Sequence, residues 1–217
     1  MALTNEQIVA RLREASISLA ECADALRAMR VAPAPETPPS GPQTVPEKPM
    51  AWGARVSSVF RERVRWIADT LALDPDDLMA CIAWETGRTF SPSVKNMAGS
   101  GATGLIQFMP STAKSLGTTT AALAKLTAED QLNFVYKYFR PYQGRLRTLS
   151  DVYMAILWPK AVGKPDDYVL FDGRAGGVAY RQNAGLDTNR DKLVTKAETA
   201  AKLYAMRAEG LRPENVA

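Results

Sequence analysis

The chain of 217 residues contains no histidine. Imidazole is the usual base of serine and cysteine triads and a near-obligatory ligand of hydrolytic zinc. Ser-His hydrolase, Cys-His peptidase and zinc amidase chemistries are therefore disfavoured, and carboxylate chemistry remains. Only two cysteines are present, Cys22 and Cys81, which make neither a disulfide framework nor a metal-binding spacing. Cys81 reads as a small core residue. The first thirty residues carry Glu6, Glu14, Glu21 and Asp24 and hold no apolar run, so neither a secretory signal nor a transmembrane segment is expected. Period-two strand patterns are scarce, with Asp167 to Phe171 the one candidate, and the expected body is mainly α. No helix-turn-helix, aromatic RNA-binding or zinc-knuckle pattern occurs, and no nucleic acid partner is expected.

An apolar share of 46% supports a packed core with room for one domain and extensions. Ile8, Leu12, Ala15, Leu19, Cys22, Leu26 and Met29 alternate spacings of four and three, a heptad stripe within an amphipathic helix over residues 1–30. A lone helix of this length is marginal in water. Self-association as a coiled coil is the preferred reading and docking onto another protein its rival. Residues 31–50 contain seven of the fourteen prolines and read as a linker, able to reach about 60 Å at roughly 3.1 Å per residue. Residues 1–50 hold 5 basic and 6 acidic groups, which leaves 22 basic and 17 acidic groups for the remainder. A basic body suits a polyanionic wall or membrane surface.

From residue 51 to 205 the periods are helical. Val56, Phe60, Val64, Ile67 and Leu71 form one stripe. Leu132, Val135, Tyr136 and Phe139 form another, capped by Thr127, and Ser150 to Trp158 makes a short helix stopped by Pro159. Residues 206–217 read as a C-terminal tail.

Glu85 is the most informative residue. Asp74 can cap its helix, Pro75 suits the first turn, Asp76 and Asp77 sit at the positive end of the dipole, and Gly87 can end it. Leu78, Ile82 and Glu85 fall at i, i+4 and i+7, so the acid shares a face with core residues. Apolar surroundings and the negative end of the helix dipole both disfavour the ionised carboxylate, which favours a proton-donating Glu. A surface Glu at a frayed helix end is the bland alternative. Beyond it a polar loop leads into Gly99, Gly101 and Gly104, whose backbone freedom permits tight bends close to a ligand. Gln107 behind them offers both a donor and an acceptor.

These two segments resemble the catalytic motifs of soluble lytic transglycosylases and related phage peptidoglycan-degrading lysins. That family places a helix ending in Glu-Ser before a loop, then Gly-Ala-x-Gly-Leu-Met-Gln, a Pro and a Thr-Ala pair. Here the order is Glu85-Thr86, Gly101-Ala102-Thr103-Gly104-Leu105-Ile106-Gln107 and Met109-Pro110-Ser111-Thr112-Ala113. The resemblance implies a lysozyme-like fold, Glu85 as catalytic acid and base, and Gln107 lining a glycan groove without any cofactor. The Ser often found three residues before Gly-Ala is Ala98 here, and Ser100 is the nearby hydroxyl able to replace it. The expected Ala-Tyr-Asn-Ala-Gly motif is replaced either by Tyr153 to Gly163, the favoured segment, or by Tyr180 to Gly185. Tyr153 is favoured for the sugar groove, with a buried tyrosine of a core helix as the bland alternative.

The function so implied is cleavage of the bond between N-acetylmuramic acid and N-acetylglucosamine. A hydrolytic lysozyme is the enzymatic alternative and needs a second carboxylate, for which Asp151 and Asp130 are candidates. A non-catalytic, glycan-binding phage structural or adaptor protein is the other alternative. Without a signal, such an enzyme is expected to be made in a host cytoplasm as a phage or prophage product. It would reach the wall by lysis, through a holin or on a virion.

Near the end, Asp187 to Glu198 matches a twelve-residue EF-hand loop at Asp187, Asn189, Asp191, Thr195 and Glu198. Lys192 stands where the sharp turn normally requires Gly. A capped turn without the ion is preferred over a calcium site.

Overall fold

The computed structural model describes residues 48–96, 99–174 and 176–217. The helix expected in the first thirty residues, the linker up to residue 47 and Ala98 lie outside these residues. Helix α1 (Ser58–Leu71) starts where the Ser57 side chain accepts the Phe60 N–H. Its apolar stripe of Phe60, Val64, Ile67 and Leu71 is at most 1% exposed, each side chain contributing about 1.5–3 kcal/mol by burial. The helix closes at Ala72 in the left-handed region, and α2 (Pro75–Glu85) begins after a short turn. Asp74 caps α2 by accepting the Asp76 N–H at 2.8 Å. Its far end is a Schellman turn, with Arg88 N–H bonded to Ala83 O at 2.7 Å and Gly87 at φ 58°.

Nine of the eleven residues of α2 are buried, so it is a central helix rather than a surface helix with one apolar stripe. The helices α3 (Pro110–Ser115), α4 (Thr120–Leu123) and α5 (Ala128–Phe139) come next, and Thr127 caps α5 through the Asp130 N–H. Helix α6 (Leu149–Leu157) is capped by Thr148 and ends one residue earlier than expected, where Trp158 leaves helical geometry ahead of Pro159. Helix α7 (Val178–Asn183) lies beside a two-stranded antiparallel sheet. In that sheet β1 (Val169–Asp172) pairs with β2 (Leu193–Thr195) around a bulge between Val169 and Phe171. The expected strand thus shifts toward Phe171 and Val194, which are 2% and 0% exposed. The mainly α expectation holds.

Helix α8 (Lys196–Gly210) opens with a capping box between Thr195 and Glu198. It packs on α2 and α6, while α1 and α6 cover other sides of α2. The tail boundary expected at residue 206 therefore falls inside a helix, and the residues beyond that helix fold back onto the body. Ala54 N–H bonds to Asn215 O at 3.0 Å, Met50 N–H to Ala217 O at 3.0 Å and Trp52 N–H to Gly210 O at 2.9 Å. Met50 and Trp52 are 1% and 0% exposed, so the linker boundary at Met50 also falls within the body. The cause is local, since Met50, Ala51 and Trp52 are apolar and ready to be buried. A methyl group on Gly210 would lie 2.4 Å from the Trp52 ring, so only glycine lets the two segments meet.

Among the described residues no helix is long and apolar enough to cross a membrane.

Candidate active site

Glu85 is the last residue of α2 and is 6% exposed. Asp77, Cys81 and Glu85 recur every four residues and share one stripe of that helix. Burial first, then the charges of Asp77 and Glu85, push the Cys81 thiol well above its ordinary value. Cys81 is accordingly an inert buried thiol rather than a nucleophile.

At the opposite end of α2, a single guanidinium faces three carboxylates. Arg207 of α8 lies 3.1 Å from Asp74, 3.8 Å from Asp76 and 2.8 Å from Asp77. Burial and the neighbouring Asp74 charge raise Asp77 to about 6, against the pull of Arg207. A carboxyl that holds its proton more tightly when folded stabilises the fold below its unfolded value of 3.8, and that contribution is lost as pH rises through about 6. The shift corresponds to a loss of at most about 3 kcal/mol, reduced by whatever solvent screening reaches the cluster. Asp77→Asn is expected to remove this slope, so that wild type loses stability relative to the variant between pH 4 and pH 7. Melting curves that stay parallel across this range would refute the assignment.

Residues 86–96 run from Glu85 to the Gly-rich loop. Thr86 Oγ1 donates to Ile82 O at 2.7 Å and accepts from Phe90 N at 3.1 Å. This anchors the turn beneath the buried Phe90. Further on, Val94 O accepts the Gly104 N–H at 2.8 Å and the Gln107 Nε2 at 3.1 Å. Thr103 and Phe108 pair antiparallel across the turn that holds residues 104–107, with Gln107 at φ 51°. Gln107 is 5% exposed. Its amide nitrogen donates to Val94 and Gly104 carbonyls, so its donor capacity serves the loop. Ser100 is half-buried and its Oγ accepts the Ala102 N–H at 3.3 Å.

The remaining candidates are more dispersed. Tyr153 is 2% exposed on α6, a position that suits the core role open to it. The rival Tyr180 lies on α7, where its hydroxyl donates to Asp187 at 2.6 Å, and this hydrogen bond is the first cause of its rise to about 12. That places it with the 187–198 loop. Asp151 is paired in the core with Lys196 at 2.5 Å, and Asp130 is half-exposed and paired with Arg63 at 3.3 Å. Each candidate second carboxylate thus has a cation of its own.

In the EF-hand-like loop the acidic oxygens accept backbone N–H groups. Asp187 takes those of Lys192 and Asp191, Asp191 that of Leu193, and Glu198 those of Thr188 and Thr195. Lys192 adopts the left-handed conformation demanded at its position, φ 69°. Among the described residues no group of three or more His, Cys, Asp or Glu side chains gathers to hold a metal ion.

Three residues of structural weight, Gln131, Arg207 and Lys196, carry no motif in the sequence. Gln131 does have a signal: counting back four from Val135 puts this polar side chain on the apolar stripe of α5. It is 0% exposed.

Residues 65–155 match the model of one protein family, described as Transglycosylase SLT domain. Compared with curated proteins and with solved structures, the chain matches none. The matched stretch runs from within α1 to within α6 and includes both the helix of Glu85 and the Gly101–Gln107 loop. It supports a soluble lytic transglycosylase-like protein of lysozyme-like fold, with a function directed at peptidoglycan.

Proposed function

We propose that the chain is a lytic transglycosylase in which Glu85 is both general acid and general base. The observation that carries this reading is a carboxylate buried at the end of a central helix, inside the stretch that matches the transglycosylase family. Protonated Glu85 donates to the glycosidic oxygen between N-acetylmuramic acid and N-acetylglucosamine as the bond to the muramyl C1 breaks. The resulting carboxylate then removes the proton of the muramyl C6 hydroxyl, whose oxygen bonds to C1 and closes a 1,6-anhydro ring. Water is not consumed, and one carboxylate serves both steps. The pairing of Asp151 and Asp130 with cations favours this over hydrolysis, which needs a second reactive carboxylate. Ser100 and Gln107 are assigned to the groove wall, whereas Tyr153, favoured for the groove on sequence, is assigned to the packing because its side chain is buried at 2% exposure. Mass spectrometry of digested peptidoglycan is expected to give muropeptides lighter by one water than hydrolysis products. Dominant reducing-end muramic acid would instead identify a lysozyme.

The partner proposed besides glycan strands is a second copy of the chain, through the heptad stripe at residues 4–30, with a virion protein as the alternative. Light scattering is expected to find the full chain oligomeric, and a monomer would leave docking to another protein as the role of that stripe. As a phage or prophage lysin it would act on the wall after release by lysis, through a holin or from a virion.

A further inference from the structure

We propose that Gln131 is the positioning residue that holds the two halves of the active site in register. The inference rests on the transglycosylase reading and concerns how its two motifs are kept together. Gln131 of α5 is wholly buried, and its amide bridges three separate segments. Oε1 accepts the Leu105 N–H at 2.6 Å, inside the Gly-Leu-Ile-Gln turn. Nε2 donates to Pro92 O at 3.0 Å, in the segment beyond Glu85, and to Leu123 O at 2.9 Å, at the end of α4. Both donors and the acceptor are thus engaged, and a buried amide so satisfied has one orientation, because rotating it would turn its oxygen against the Pro92 and Leu123 carbonyls and leave the Leu105 N–H facing a donor.

Gly104 supplies the complementary surface. Its Cα lies against the same amide, and a methyl group there would stand 2.3 Å from Gln131 Oε1. Glycine at 104 therefore serves two needs, a φ of 87° and close approach of the turn to Gln131. The Gly104 carbonyl in turn accepts Gln107 Nε2 at 3.1 Å. A chain of contacts thus leads from Gln131 through Gly104 to Gln107, while Pro92 ties the same amide to the segment leaving Glu85. Apolar packing alone would bury α5 without fixing these loops to one another.

Gln131→Met tests this, because methionine fills a similar volume without forming the three hydrogen bonds. At a temperature well below its melting point, the folded variant is expected to lose about 10–100-fold in kcat on soluble glycan strands, as misplacement by about 1 Å can cost 100-fold. KM should change little. A purely structural role would lower the melting temperature and leave kcat near wild type, and that result would overturn the proposal. Should Gln131→Met fail to fold, Gly104→Ala reads the same contact from the other side, and unchanged kcat there would overturn it equally. Combining Gly104→Ala with Gln131→Ala removes the collision, so the double variant is expected to be no slower than Gly104→Ala alone. Losses that multiply would contradict a shared contact. Glu85→Gln is assayed in parallel. If it keeps wild-type activity, or wild type has none, the transglycosylase reading fails and this inference with it. Glu85-dependent activity that is undiminished in Gln131→Met overturns the inference alone.

Discussion

Glu85→Gln is expected to fold like wild type and to clear no cell wall. Glutamine keeps the volume and planarity of the side chain that closes α2, so the packing around a residue 6% exposed is preserved. What disappears is the acidic proton. General acid–base catalysis contributes about 100- to 10,000-fold, and here a single residue is asked to donate a proton and then to accept one. Loss should therefore lie at the upper end of that range, in kcat rather than in glycan binding. Zymography with purified walls, beside circular dichroism of the same preparation, measures both quantities. A folded variant that retained more than a few percent of activity would exclude Glu85 as the acid. A non-catalytic glycan-binding body predicts a different pattern, in which wild type and variant bind walls equally and neither clears them.

The second large effect is expected far from any proton transfer. Lys196 and Asp151 form an ion pair at 2.5 Å with side chains 2% and 8% exposed. Lys196 Nζ also donates to Lys164 O at 2.7 Å, and Gly163 N–H donates to Asp151 at 2.8 Å. The pair joins the start of α8 to the start of α6. Asp151→Ala leaves an ammonium buried without its counter-ion, and such a loss costs about 3–5 kcal/mol. Lys196→Met strands the carboxylate in the same way. Removing both charges together, as Asp151→Leu with Lys196→Met, should recover most of the loss, since the mutual attraction of a buried pair is largely offset by its desolvation. Urea unfolding of the two single variants and the double variant forms a cycle that isolates the pair. Additive losses would mean that the ion pair contributes nothing of its own.

Much of the fold is legible in the sequence because its signals are local. Asp74, Pro75 and Gly87 bound α2 within fourteen residues of chain, and the cap at Thr127 lies beside the helix it begins. The stripe Phe60, Val64, Ile67, Leu71 announces its buried face by period alone. What escapes depends on distant partners. Lys196 looks like one more charge in an acidic loop until Asp151, forty-five residues earlier, is placed beside it. Arg207 falls just past the point where the helical pattern reads as ending, and its three carboxylate partners begin at Asp74. The burial of α2 on nearly all sides is hidden for a related reason. Cys81, Ala80 and Ala83 are small, and their burial reflects the close approach of other helices rather than an apolar pattern. Gln107 declares its donor and acceptor groups by residue type, but the backbone carbonyls its nitrogen meets are set by a turn that no spacing rule specifies.

The Trp52–Gly210 contact and the Arg207 cluster change what counts as a separable piece of this protein. Both lie at least partly outside residues 65–155, the stretch that carries the family resemblance. Arg88, just beyond Glu85, likewise holds Glu209 in a two-pronged pair at 2.8 and 2.7 Å. An excised 65–155 fragment would keep every residue of both motifs and lose the helix that lies along α2. Trimming the chain to its recognisable sequence would thus keep Glu85 and the Gly101–Gln107 loop without the helix that packs along α2. A piece that keeps all of these contacts has to include both Met50 and Ala217, whose backbones bond to one another at 3.0 Å.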